Sequence, residues 1–189
     1  MGRGVLATSD IEDGAEVLVV PDKLIMSRNH LSTSSDQLHV KIAEALSADE
    51  DAVAGVLLLE QSRGKESLFY EYMQVLPTYI PNLSHYNSKS LAQLQSPAIV
   101  REVQYEQNRA RSNYNNFTKA LRKIWPGGKK ALPSWEQYQW ALSVIDSRGL
   151  RFHGKVGTSI HILYILTGLL IVSFLNTRFC VLHSCRFDA

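Results

Sequence analysis

The sequence predicts an α+β fold, in which a short N-terminal β-hairpin is followed by a mainly helical stretch and then by an apolar C-terminal tail. Two β-compatible segments, 3–8 and 16–20, flank an acidic, glycine-containing stretch (Asp10, Glu12, Asp13, Gly14). Between 38 and 148, apolar residues recur at helical spacing. Charged residues then stop: 156–177 contains no Asp, Glu, Lys or Arg.

The hairpin rests on EVLVV at 16–20, ended by Pro21, and on the turn chemistry before it. Helices are expected next at 38–46 and 51–64, the second closed by Gly64 as its C-cap. Asp49, Glu50 and Asp51 suit a helix start, where acids complement the macrodipole. An aromatic-rich helix follows at 68–76 and stops at Pro77. The longest helix is expected over 97–124. Its Ala110, Tyr114, Phe117, Leu121 and Ile124 form a core-facing stripe, ended by Trp125-Pro126-Gly127-Gly128. Ser134 and Gln137 make a capping-box pair at the start of the last helix. That helix is apolar on two sides, through Trp135, Tyr138, Leu142 and Ile145 and through Trp140 and Val144, and so is expected inside the domain.

Composition excludes several classes of function. Twenty Lys and Arg against 18 Asp and Glu leave a net charge of +2, which demands neither nucleic acid nor an anionic membrane surface. The basic residues Arg109, Arg111, Lys119, Arg122 and Lys123 read as a solvated helix face, and no nucleic-acid partner is expected. Two cysteines, Cys180 and Cys185, make no disulfide framework, and with His183 they fall short of a four-ligand zinc site. The N-terminus has no signal-peptide h-region. No phosphate loop, H-E-x-x-H or G-x-S-x-G is present. Gly2-Arg3-Gly4, just before a strand, lets backbone turn tightly and approach a ligand closely.

Four segments, taken in order, resemble the SET domain of Rubisco-methyltransferase-type protein methyltransferases. GRGVLATSDIEDGAEVLVVP is similar to the family's G-x-G opening and its following strand ending in V-P. DKLIMS matches the next segment. GKESLFYEYMQVLPTYI resembles the aromatic cluster before Y-hydrophobic-x-x-L-P. SWEQYQWALSVIDSRG resembles the W-A helix that ends in an arginine.

The resemblance implies a split SET core interrupted by a helical insert. Residues 1–155 would be a partial SET domain, with N-terminal strands in 1–30, the insert at 31–145, and the start of the C-terminal SET half at 146–155. It implies S-adenosylmethionine as cofactor and a protein substrate methylated on lysine, in some members on histidine. Carried over, the cofactor-binding positions are Gly2, Arg3 and Gly4 in the turn, Ala15, Glu16 and Val17 at the second strand's start, and Arg148 after the W-A helix. No metal is implied.

The sequence also departs from the family. The later D-x-x-N-H and Tyr-Gly segments, which close the cofactor pocket and supply the catalytic tyrosine, are absent. Asn29-His30 lies too far upstream to replace the first. No catalytic residue is therefore assigned, and the expectation is an incomplete, inactive methyltransferase chain, cytoplasmic or nuclear, whose residues 156–189 replace the catalytic half. Two alternatives stand beside it. One is a non-catalytic protein-binding form. The other is a tail-anchored membrane protein, because the 22 uncharged residues 156–177 would span about 33 Å as a helix.

Overall fold

The computed structural model describes residues 9–15, 24–153 and 159–164. Strand β1 (Ile25–Ser27) runs directly into helix α1 (Arg28–Ser32). Then come α2 (Gln37–Ala45), α3 (Asp49–Arg63), α4 (Tyr70–Val75), α5 (Ser88–Leu91), α6 (Pro97–Leu121) and α7 (Trp135–Arg148). Strands β2 (Gly149–His153) and β3 (Ser159–Tyr164) follow. The described part is mainly helical with one small sheet, an α+β arrangement.

Local chemistry accounts for the helix limits. Asp36 caps α2 by accepting from the Leu38 N–H at 2.8 Å. Asp49, Glu50 and Asp51 fill the first turn of α3, and Gly64 closes it with φ +54°. At α7 both halves of the capping box are made: Ser134 Oγ accepts from the Gln137 N–H, and the Gln137 side chain accepts from the Ser134 N–H at 2.8 Å.

Helix α3 is the centre of the core. Its residues from Ala52 to Glu60 are all buried, because α2, α7 and the sheet lie around it. The α6 stripe supplies Phe117 and Leu121, both fully buried, with Tyr114 and Ile124 packed at the margin. From α7 come Tyr138, Ala141, Val144 and Ile145, which meets the expectation of an enclosed helix. The Tyr138 hydroxyl donates to Asp51 Oδ1 at 2.7 Å and ties α7 to the start of α3.

The sheet is antiparallel, in the order β1-β3-β2. Met26 stands opposite Leu163, and Leu150 opposite Ile162. This corrects one expectation. Residues 159–164 belong to the apolar run considered as a membrane span, yet they form the central strand. Both edges of β3 are taken by backbone partners, and β-branched Ile160 and Ile162 suit a strand. Among the described residues no helix is long and apolar enough to cross a membrane. The β2–β3 hairpin also joins residues on either side of the boundary expected at 155.

The expected N-terminal strands, 3–8 and 16–20, lie outside the described residues. The turn between them is present: Gly14 has φ +82°, and the Ala15 N–H donates to the Glu12 carbonyl at 3.1 Å.

Candidate functional site

Of the seven residues assigned to cofactor binding, Ala15 and Arg148 are described; Gly2, Arg3, Gly4, Glu16 and Val17 lie outside the described residues. Ala15 is exposed, just after the Gly14 turn.

Arg148 is the last residue of α7, and β2 begins at the next position with no linker. Gly149 makes this junction feasible. A Cβ there would sit 2.6 Å from the Ile145 carbonyl oxygen, an approach only glycine tolerates. The short connection fixes where the Arg148 backbone stands between helix and sheet. Its Nη1 donates to Ser147 Oγ at 2.8 Å, and the side chain is half-buried.

Tyr72 of α4 lies within electrostatic reach of Arg148. Only 6% of it is exposed, and its hydroxyl has no hydrogen-bond partner among the described residues. Burial pushes this phenol up to about 12, and the Arg148 charge pulls it the other way. A buried polar atom without a partner is costly and calls for a physical reason. Here it is coupled to a cation that is itself half-exposed. A guanidinium and a hydroxyl are donors of the kind an anionic, hydrogen-bonding ligand takes. Tyr72 heads the Y-hydrophobic-x-x-L-P motif, but its burial was not legible there. It is one of three aromatic residues within 69–72, and nothing in the pattern says which hydroxyl is buried.

A second polar cluster lies at the other end of α3, where Asp36, His39 and Glu60 place one ligand atom each within 4.8 Å of one another. This is a closed ion network and not a metal centre. His39 Nε2 lies 2.8 Å from Glu60 Oε1. Arg63 Nη1 bonds Glu60 Oε1 at 2.6 Å and Asp36 Oδ2 at 2.5 Å. Ser67 Oγ donates to Glu60 Oε2 at 2.5 Å. The guanidinium already occupies the oxygens a metal ion would need. Burial pushes the Glu60 carboxyl up, but hydrogen bonds from His39 and Ser67 and the Arg63 charge outweigh it, so the group sits below the usual range. Asp36 is likewise lowered against its burial, by Arg63, the Leu38 N–H and His39.

A third feature is a cleft of about 490 Å³ between α3, α4, α7 and the turn after α6. Trp125, Trp140, Met73, Leu76, Pro77 and Pro133 supply its apolar wall. The Trp140 indole is fixed by donating Nε1–H to the Pro77 carbonyl at 2.9 Å.

No family model and no curated protein matches the chain. Solved structures do match. One is the SET domain of LSMT bound to lysine and AdoHcy, with TM-score 0.65 and 15% identity, covering 79% of this chain and 33% of that one. Another is the SET domain of LSMT bound to methyllysine and AdoHcy, with TM-score 0.69 and 18% identity, covering 88% of this chain and 37% of that one. The chain thus spans about a third of the length of the solved chains it matches. Over that span, its fold is that of the LSMT SET domain.

Proposed function

We propose that this chain carries the N-terminal part of a SET-type protein-lysine methyltransferase and binds S-adenosylmethionine. The observation that carries the reading is the SET-domain fold with an arginine, Arg148, at the junction of α7 and β2. The neighbours' AdoHcy, the demethylated form of the cofactor, supports the ligand class.

When bound, the cofactor supplies an electrophilic methyl group on sulfonium sulfur. Arg148 would hold its carboxylate by a charge-assisted hydrogen bond. The Tyr72 hydroxyl would gain the partner it lacks. Gly2, Arg3 and Gly4, with the backbone of 15–17, would complete the grip from the N-terminal side.

Transfer needs more than a grip. The lysine amine must be neutral and in line with the methyl carbon, and orientation of this kind is worth on the order of 7–11 kcal/mol in well-held cases. The family's Asn-His and Tyr-Gly segments do that work, and neither is in these 189 residues. We therefore infer that the chain by itself binds a cofactor and a protein partner without turning over. An assay with methyl-labelled S-adenosylmethionine and a protein extract tests this. No transfer above background is expected. Robust transfer that Arg148→Ala abolishes would overturn the inactive reading.

A further inference from the structure

The cleft beside Trp125 and Trp140 plays no part in the proposed cofactor site, and its surroundings are strongly charged. No Asp or Glu lies between Glu106 and Glu136. Within that interval Lys119, Arg122, Lys123, Lys129 and Lys130 are all exposed, and none makes an ion pair with a described residue. The other two cations there are engaged: Arg109 bonds Glu106 at 2.7 Å, and Arg111 lies 4.2 Å over the Trp135 ring.

Two of these cations neighbour the cleft's lining in the chain. Lys123 stands two residues before Trp125, and Lys130 stands next to Ala131, which also lines the cleft. The connecting turn needs its glycines. Gly127 and Gly128 have φ +78° and +67°, and a Cβ on Gly127 would meet the Ala131 Cβ at 2.8 Å. The one acid of the wall is Glu136, whose carboxyl is lowered by the N-terminal N–H and hydroxyl groups of α7 and by the Arg111 charge.

We propose that this cleft is a docking site for an extended protein segment with one bulky apolar side chain flanked by Asp or Glu. The apolar side chain would enter between the tryptophans, and the acids would lie against Lys129, Lys130 and Lys123. A cleft of about 490 Å³ has the capacity for such an anchor. Fixed aromatic walls are the kind of surface that dominates binding energy, and a rim of unpaired cations selects the partner by charge. A duplex would use the cations alone and leave the apolar wall uncovered, and Trp125, only 6% exposed, offers a single strand little ring face to stack on.

The site stands apart from methyl transfer. A chain that binds the peptide but no cofactor keeps this inference and loses the preceding one. The test is fluorescence anisotropy of the full chain with four labelled probes. These are a synthetic peptide with a central leucine between runs of glutamate, the same peptide with serine at the centre, one with lysine flanks, and a single-stranded oligonucleotide. The first is expected to bind at micromolar concentration, with each of the other three at least about tenfold weaker. Lys129→Glu with Lys130→Glu, both exposed and so safe for folding, should weaken the first by about tenfold or more. Three results would each overturn the proposal: oligonucleotide binding as tight as the leucine peptide's, no loss on charge reversal, or no peptide binding at all.

Discussion

Glu60 is buried to 1% exposure, yet it carries a charge, because His39, Arg63 and Ser67 converge on its two oxygens. Its removal would leave the His39 ring and the buried Ser67 hydroxyl without this acceptor and Arg63 with Asp36 alone. Glu60→Ala is therefore expected to cost about 3–5 kcal/mol at neutral pH, the range for breaking a buried ion pair. The sign of its pH dependence follows from its lowered folded-state pKa. The stabilisation is present above the ordinary carboxylate range and is lost as pH falls through the depressed value. Asp51 has the opposite sign: burial raises it, so its protonation relieves the folded state. Urea denaturation of both proteins across the acid range separates the two. The stability gap between wild type and Glu60→Ala should narrow as pH falls. A gap that stays constant would contradict an ionised Glu60. The sequence did not reveal this network, because Asp36, His39 and Glu60 are brought together only when α2 docks on α3.

At the scale of elements, much was legible because local chemistry sets the limits. The Ser134 capping box, the Gly64 C-cap and the α6 stripe all rest on residues within a few positions of one another, and all three are present. The turn after α6 is equally local, and it makes a prediction. Gly127→Ala must place a side chain at positive φ and against Ala131, so it should destabilise the chain by about 1 kcal/mol or more. Thermal unfolding checks this, and an unchanged midpoint would show that the turn is not held as described. Strand β3 was not legible. Its Ser159-Ile160-His161-Ile162 alternation is only four residues long and merges into the nearly continuous apolar run to 175, so long-range pairing with β1 and β2 decides the outcome. Strand β1 is three residues long, too short for alternation to register. Arg148 was found only through the family resemblance, since a lone cation at a helix C-terminus has an ordinary electrostatic explanation.

For the whole molecule, the ordered set of motifs from Gly2 to Arg148 pointed to a SET domain, and the fold agrees with the SET domain of LSMT over 79–88% of the chain. Helix α7 runs straight into the sheet with Arg148 at the junction, and the buried Tyr72 hydroxyl, without a hydrogen-bond partner among the described residues, feels that charge. The proposed cofactor site is this junction. Calorimetric titration of the chain with S-adenosylhomocysteine tests it most directly, alongside Arg148→Ala. Saturable binding at one site is expected, weakened about tenfold or more in the variant, a loss of roughly 1.4 kcal/mol or greater. A folded chain that takes up no ligand, or one whose affinity is unchanged by Arg148→Ala, would contradict it.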